Sequence, residues 1–244
     1  MTDQPYFFDL DRTQLEEYFL SIGQPAFRAQ QVWNGIYQQL AAGPDAITAL
    51  PKKLREVLSE SITFSRLEPL DRLVSSDAET VKTLFILPDG ARIETVLMHY
   101  DERETLCISS QAGCAMGCVF CATGQMGLKR SLTSGEIVEQ VVHYARELAK
   151  KVKKVTNVVV MGMGEPFHNY DAVMSAIDRL NDPQGMNLGA RRFTISTVGI
   201  VPKIRQFAAE KRQVNLAVSL HAANDSLRNR LIPANRKYPL VQLI

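Results

Sequence analysis

The sequence feature that most restricts the fold of this 244-residue chain is a group of three cysteines within eight consecutive positions. Cys114, Cys118 and Cys121 follow a C-x3-C-x2-C pattern. Thiolates are soft ligands that suit zinc or an iron–sulfur cluster, so we expect a loop on which three thiols converge. A structural zinc site normally has a fourth Cys or His at short spacing, whereas the nearest downstream histidine, His143, falls in a predicted helix. We therefore favour an iron–sulfur cluster with one open iron and keep zinc as the alternative.

Three further segments resemble a known family when they are taken together with the cysteine spacing. They are Leu106–Gln111 (LCISSQ), Met161–Pro166 (MGMGEP) and Ser219–Ala222 (SLHA). With the cysteines, they resemble the radical-SAM RNA adenine methyltransferases of the RlmN type, whose close relatives are the Cfr-type enzymes. The resemblance extends from about Phe8 to the end of the chain.

The resemblance implies a role for each matching residue. Cys114, Cys118 and Cys121 would hold a 4Fe–4S cluster whose open iron binds S-adenosylmethionine (SAM). Cys107 matches the cysteine that resolves the covalent RNA intermediate, and Glu94 matches the proton acceptor. The SAM-contacting positions of the family fall on Gly164, Glu165, Ser196, Ser219, Leu220 and His221. Without the resemblance, Glu94 would be interpreted as a solvent-facing strand residue, and His221 as a strand-end histidine bonded to backbone.

The implied activity is methylation of C2 of an adenine in 23S ribosomal RNA, with transfer RNA as a second substrate. In the family a cysteine of the C-terminal segment carries the methyl group, but no cysteine follows Cys121 here. We therefore expect a C-terminally truncated chain that binds its cofactors and does not complete methyl transfer alone. An electron donor such as flavodoxin would reduce the cluster, and we expect a monomer.

Composition and charge restrict the setting of this chemistry. The chain has no apolar run long enough to cross a bilayer, and its N-terminus does not read as a signal peptide. Four cysteines clustered between positions 107 and 121 are unlike a disulfide framework, so we expect a reducing, cytoplasmic location. Residues 1–104 carry a net charge of −7, and residues 105–244 carry +9. This asymmetry favours a nucleic-acid partner for the basic part, although each basic cluster alone is typical of a solvated helix end.

The patterning predicts an α/β fold, a partial radical-SAM (βα) barrel with about four of six βα units. We expect a helical N-terminal accessory domain at 1–62, a β-hairpin and linker at 63–104, and the radical-SAM core at 105–244. The hairpin strands are predicted at Glu79–Leu87 and Ala91–His99 around the turn Pro88-Asp89-Gly90. The segment Thr133–Glu136 predicts a capping box that begins a long helix. Parallel βα repetition places functional groups at the carboxyl ends of the strands.

Three alternatives to C2 methylation remain open from the sequence. A Cfr-type enzyme would methylate adenine C8 with the same machinery. A catalytically incomplete RNA-binding fragment is favoured by the absence of a later cysteine. A zinc-stabilised module would contain stoichiometric zinc and would be colourless.

Overall fold

The N-terminal part of the computed structural model, which describes residues 4–244, consists of three short helices. They are α1 (Arg12–Ser21), α2 (Phe27–Tyr37) and α3 (Lys52–Ser61). Asp11 caps α1 by accepting from the Gln14 backbone N–H, and the Gln14 side chain accepts from the Asp11 N–H. The predicted helical character of this part is confirmed. The first three residues of the predicted domain 1–62 lie outside the described residues.

Seven strands form one sheet in the order β1-β2-β3-β4-β7-β8-β9. The first four are antiparallel: β1 (Glu68–Val74), β2 (Thr80–Ile86), β3 (Arg92–Tyr100) and β4 (Arg103–Cys107). The strands β7 (Asn157–Val160), β8 (Phe193–Thr197) and β9 (Asn215–Val218) continue from β4 in parallel. A separate two-stranded sheet contains β5 (Gln111–Gly113) and β6 (Leu128–Ser131).

Helices follow each parallel strand. After the short α4 (Ala122–Gln125) come α5 (Ser134–Ala149), α6 (Tyr170–Asn181), α7 (Val201–Ala209), α8 (Asp225–Leu231) and the short α9 (Leu240–Leu243). The predicted capping box is present, since the Thr133 hydroxyl accepts from the Glu136 N–H and the Glu136 carboxylate from the Thr133 N–H. The units β4–α5, β7–α6, β8–α7 and β9–α8 confirm the predicted α/β class with four βα units.

The two faces of the sheet differ in burial. Ile93, Leu97 and Leu106 are buried on the face covered by α5, where Tyr144 donates to the Thr83 hydroxyl. Residues of the opposite face are only partly buried, including Glu94, Val96, Cys107, Val159 and Ser196. The partial barrel therefore has an accessible concave face.

The predicted hairpin forms, because Thr83 pairs with Thr95 and Phe85 with Ile93 in antiparallel register. The sheet is continuous across the predicted boundary at 104/105, since β3 pairs with β4. The three predicted domain boundaries remain a prediction. The strand β1 was not predicted, and its seven residues are all exposed.

A buried carboxylate joins the N-terminal segments to the core. Glu139 of α5 accepts hydrogen bonds from the hydroxyls of Tyr6 and Ser65 and from the backbone N–H groups of Arg66 and Leu67. Aromatic residues of both parts belong to one hydrophobic core. Among residues 4–244, no helix combines the length and apolar character that a bilayer crossing requires.

Candidate functional site

The carboxyl ends of the four parallel strands lead into loops that surround one cavity of about 300 Å3. The cysteine loop follows β4, and the Gly162–Glu165 loop follows β7. Residues at and beyond the ends of β8 and β9 complete the lining. Eight of the predicted site residues line this cavity: Cys114, Cys118, Cys121, Gly164, Glu165, Ser196, Ser219 and His221. The topology thus brings together residues that are up to 107 positions apart in the sequence.

The cysteine loop is framed by the β5–β6 pair. Gly113, at the end of β5, has a φ of +81°, and a Cβ at this position would overlap the Gly127 carbonyl oxygen. The Cys114 N–H donates to that carbonyl oxygen at 3.0 Å. The Cys121 N–H donates to the Cys118 carbonyl oxygen at 3.1 Å. Only glycine allows this close approach, so the loop geometry depends on Gly113.

Two thiols of this loop, Cys114 and Cys118, lie in surroundings that favour the neutral thiol over the thiolate. Cys114 and Cys118 are 8% and 6% exposed. Burial, together with the neighbouring cysteines, raises the pKa of Cys118 to about 11, and burial also raises the pKa of Cys114. A metal binds thiolates, so metal binding at this loop would release protons.

The donor set fits a cluster better than a single ion. In residues 4–244, no three His, Cys, Asp or Glu side chains converge as the ligands of one metal ion. A zinc ion would need its ligands at about 2.0–2.3 Å from one centre, whereas cluster thiolates bind different irons and surround a larger volume. Three thiols around a cavity of about 300 Å3 match the second arrangement.

Glu165 is buried in the cavity wall and held by backbone groups. Its carboxylate accepts from the N–H of Phe167 at 3.0 Å and from the N–H of Val198 at 2.9 Å. Its own N–H donates to the Gln111 side chain at 2.9 Å. Burial raises the pKa of Glu165, and the hydrogen bonds partly oppose this shift. The carboxylate retains free lone pairs towards the cavity, where they can accept from an ammonium group.

Two serines and one histidine complete the opposite wall. The hydroxyls of Ser196 and Ser219 lie 3.0 Å apart. The His221 ring contacts the Phe120 ring, with centroids 4.4 Å apart. Phe120 lines the cavity as well and remains 52% exposed.

Three predicted residues do not line the cavity. Glu94 forms a salt bridge with Lys82 at 2.8 Å on the concave face. Cys107 lies on the same face, where Val96 is its cross-strand partner and Glu94 a diagonal neighbour at about 7–8 Å. Burial raises the pKa of Cys107 to about 11, although the Met161 backbone N–H donates to its sulfur. Leu220 lies between the lining residues Ser219 and His221, and its carbonyl oxygen accepts a hydrogen bond from Arg228.

Some important residues were missed. Ser109 and Gln111 hold the loop after β7 through two hydrogen bonds. The Ser109 hydroxyl accepts from the Met163 N–H, and the Gln111 side-chain oxygen accepts from the Glu165 N–H. Polar side chains at the end of a buried strand were the available signal. Arg228 and Arg230 form one of the basic clusters that we expected to be solvated helix ends, and for Arg228 this expectation is wrong, because its side chain is 1% exposed.

Comparison with known proteins identifies two matching family models. A model described as the Radical SAM superfamily matches residues 108–240. A model described as the Ribosomal RNA large subunit methyltransferase N-terminal domain matches residues 7–64. The first match contains the three clustered cysteines and the Gly164–Glu165 pair.

Individual relatives match nearly the whole chain. A protein of Chloroflexus aurantiacus, "Probable dual-specificity RNA methyltransferase RlmN", is 50% identical over 99% of this chain and 65% of its own length. A protein of Roseiflexus castenholzii with the same description is 44% identical over 98% of this chain and 69% of its own. The chain thus spans about two thirds of the length of these relatives. The crystal structure of a radical SAM methyltransferase from Sphaerobacter thermophilus is 51% identical, with a TM-score of 0.95, and is matched over 98% of this chain and 70% of its own.

Proposed function

The chain belongs to the RlmN-type family of radical SAM RNA methyltransferases, and we propose that it methylates C2 of an adenine in 23S ribosomal RNA, with transfer RNA as a second substrate. The family implies a 4Fe–4S cluster and SAM. The observation that carries the proposal is the single cavity lined by the three clustered cysteines and by residues from three further loops. The proposal also includes an electron donor of the flavodoxin class, a monomeric state and a cytoplasmic location. The free thiols of all four cysteines are consistent with a reducing compartment.

The residues of the cavity have separate tasks in this proposal. Cys114, Cys118 and Cys121 bind the cluster, and Glu165 orients SAM by accepting from its ammonium group. The hydroxyls of Ser196 and Ser219 can donate to the SAM carboxylate or ribose. When bound, the cluster and SAM supply the radical chemistry that adds a methyl group to an electron-poor ring carbon.

Glu94 and Cys107 would act on the RNA adduct from the concave face. Glu94 would remove the proton from the ring carbon. The Cys107 thiolate would then attack the thioether sulfur, so that an S–S bond forms with the methyl-carrying cysteine, the C–S bond to the base breaks, and the released carbon takes up a proton to become the methyl group. Both side chains lie on the accessible face of neighbouring strands. The Glu94 carboxylate also forms a partly exposed salt bridge with Lys82 at 2.8 Å. A general base must lie within hydrogen-bond reach of the proton that it removes.

The charge distribution supports an RNA partner. Arg130 and Arg212 are paired with carboxylates, Arg130 with Asp89 and Glu136. Six of the remaining exposed cations lie in the segments before β7, β8 and β9 and take part in none of the salt bridges found within residues 4–244: Lys150, Lys151, Lys154, Arg191, Arg192 and Lys211. They precede β7, β8 and β9, so they lie along the amino ends of adjacent parallel strands. This row is suited to phosphate contacts with flanking parts of a large RNA.

The proposed reaction needs a methyl-carrying cysteine, and no cysteine follows Cys121 in this chain. The test therefore joins this chain to the C-terminal part of the Chloroflexus relative that lies beyond the match. The chimera is reconstituted with iron and sulfide and incubated with SAM, reductant and 23S ribosomal RNA. Nucleosides are then identified by mass spectrometry. We expect 2-methyladenosine from the chimera and none from its Cys107→Ser form.

The other outcomes decide between the alternatives. The appearance of 8-methyladenosine would replace the C2 assignment by C8. Unmodified RNA from a folded chimera that contains its cluster and binds SAM would reject the methyltransferase proposal in favour of an RNA-binding role. The 244-residue chain alone, tested in parallel, should bind RNA and leave it unmethylated.

A further inference from the structure

Arg228 is a buried cation that the proposed reaction does not use. It lies on α8 and is 1% exposed. Burial of a charge is costly unless the group is paired or fully hydrogen-bonded. The four oxygens that accept from Arg228 are all neutral. A guanidinium group in such surroundings is retained for the groups that it holds in place.

The guanidinium group connects the ends of two neighbouring strands. Its Nε donates to the Leu220 carbonyl oxygen at 3.0 Å. Its Nη2 donates to the carbonyl oxygens of Val198 at 2.6 Å and Ser219 at 3.3 Å. Val198 follows β8, whereas Ser219 and Leu220 follow β9. One planar fork therefore sets the spacing between the segments that follow β8 and β9, next to the cavity residues Ser196 and Ser219.

The contact with Leu220 stabilises a strained turn. The Ala222 N–H donates to the Leu220 carbonyl oxygen at 2.7 Å across His221, whose φ is +57°. A three-residue turn with positive φ at its centre is rare and strained, and it persists only where the surroundings determine it. The Leu220 oxygen accepts from both Ala222 and Arg228. The charge-assisted bond from Arg228 thus holds the turn that directs His221 towards Phe120.

The peptide groups of Val198 are held from two sides. The Val198 N–H donates to the Glu165 carboxylate at 2.9 Å, and its carbonyl oxygen accepts from Arg228 at 2.6 Å. Val198 thereby links Glu165, which we propose to contact the SAM ammonium, with the guanidinium group of α8. A displacement of Arg228 would be transmitted to the Glu165 carboxylate through this residue.

The orientation of the guanidinium group is itself fixed. Its Nη1 donates to the Asn235 side-chain oxygen. The Asn235 amide donates in turn to Asp225 at 2.8 Å, and Asp225 also accepts from the Leu240 N–H at 3.0 Å. The carboxylate of Asp225 is therefore linked to the Arg228 guanidinium group through the side chain of Asn235. The guanidinium group cannot rotate freely, because the carbonyl oxygens hold its Nε and Nη2 and Asn235 holds its Nη1.

We propose that Arg228 is a positioning residue that holds the Val198 and Ser219–His221 segments in the arrangement that binds SAM. The proposal rests on the function proposed above for the cavity. A lysine at this position keeps the charge, but its single ammonium group cannot reach three carbonyl oxygens and Asn235 in a fixed fork.

The first test measures the turn without any cofactor. Hydrogen–deuterium exchange of the metal-free chain is compared for the wild type, Arg228→Lys and Arg230→Lys. Arg230 is exposed on the same helix and provides the matched control. We expect the Ala222 amide to exchange about tenfold faster in Arg228→Lys, a factor that corresponds to about 1.4 kcal/mol. Exchange in α5 should be unchanged in both variants, which distinguishes a local effect from a general loss of stability.

The second test measures SAM affinity in the cluster-loaded protein by calorimetry, with iron content determined on the same samples. Arg228→Lys should bind SAM at least tenfold more weakly at equal iron content, and Arg230→Lys should bind as the wild type does. If the wild type itself bound no SAM, the proposed function would fail. The exchange experiment would still decide whether Arg228 holds the turn.

A milder variant covers the case in which Arg228→Lys does not fold. Asn235→Ala removes one of the four acceptors and leaves the three carbonyl contacts in place, so Ala222 exchange should rise by about threefold. Unchanged Ala222 exchange together with unchanged SAM affinity in a folded Arg228→Lys or Asn235→Ala protein would overturn the proposal.

Discussion

Cys107 and the cavity cysteines Cys114 and Cys118 share one electrostatic property, since burial raises their thiol pKa values. For Cys107, which lies outside the cavity lining, the value is about 11. A thiol with this pKa is protected from oxidation at neutral pH, because the thiolate is the reactive form.

The pKa of Cys107 predicts an unusual alkylation profile. Its rate of reaction with iodoacetamide should rise about tenfold per pH unit from pH 7 to 10 without reaching a plateau, because the thiolate fraction is still small. The chain unfolded in guanidinium provides the control and should level off above about pH 8.5. Mass spectrometry of the Cys107 peptide gives both rates. A plateau near pH 9 in the folded chain would show that burial does not raise this pKa.

Gly164 permits the close contact between the loop after β7 and Gln111. Its φ is +104°, and a Cβ would lie 2.6 Å from the Gln111 Cβ. We expect Gly164→Ala to lower the free energy of unfolding by about 2–4 kcal/mol, from backbone strain and overlap together.

Gly43→Ala is the matched control for this substitution. A Cβ at Gly43 meets nothing within 4 Å, and the backbone there is extended. Gly43→Ala should lower the free energy of unfolding by less than about 0.5 kcal/mol. Urea denaturation of both variants measures the difference, and equal stability would contradict the contact at Gly164.

At the residue scale, the sequence predicted the cavity through local spacing and through family resemblance. Cysteine spacing alone indicated a shared metal site. Ser196 and His221 were identified only by the resemblance, because neither lies in a local pattern that specifies a ligand. Arg228 was not predicted, since charged helix residues are usually exposed and its burial depends on loops that arrive from β8 and β9.

Among the elements, α5 connects the N-terminal segments to the core through Glu139. Replacing this residue by leucine would leave the buried N–H groups of Arg66 and Leu67 and the Tyr6 hydroxyl without their acceptor. We expect Glu139→Leu to lower the free energy of unfolding by about 3 kcal/mol or more.

Glu139→Gln keeps an acceptor oxygen at the same place, and its amide can donate to the Ser65 hydroxyl. Glu139→Gln should lower the free energy of unfolding by about 1 kcal/mol. Denaturant melts of the two variants give the comparison. A similar loss in both would show that side-chain volume, and not the hydrogen bonds, determines the stability at this position.

Elements with strong periodic patterns were predicted closely, whereas the elements without such patterns were missed. The alternation in β2 and the capping box of α5 carry their own signals in sequence. Strand β1 has no buried residue, so it lacks an alternating pattern and depends on pairing with β2. The strands β5 and β6 have three and four residues and form because the cysteine loop brings them together.

At the scale of the whole molecule, the six exposed cations that precede β7, β8 and β9 lie at the end of the sheet opposite the cavity. The charge asymmetry was visible in the sequence, but the ion pairs that neutralise Arg130 and Arg212 were not. The three-dimensional structure is needed to distinguish the cations that are free to contact a partner from those that form ion pairs within the chain.

This separation predicts how RNA binding responds to salt. Replacing Lys150, Lys151 and Lys154 by alanine should weaken binding of a 23S ribosomal RNA fragment and reduce the slope of log K against log[salt] by about 0.7–0.9 per lost contact. Replacing Lys52 and Lys53, exposed lysines of the acidic N-terminal part, provides the control and should leave the slope unchanged. Fluorescence anisotropy at several salt concentrations measures both. Equal slopes in the wild type and both variants would show that this row of cations does not contact RNA phosphates.

We propose that Cys114, Cys118 and Cys121 hold a cluster that binds SAM. Anaerobic reconstitution of the chain with iron and sulfide, followed by reduction and EPR with and without SAM, tests this ligand assignment. We expect a cluster signal that changes when SAM is added. The signal should be lost in Cys114→Ala and kept in Cys107→Ala, which removes the remaining cysteine of the chain. Absence of a cluster, tightly bound stoichiometric zinc, or a signal that does not respond to SAM would show that these cysteines do not form a SAM-binding cluster site.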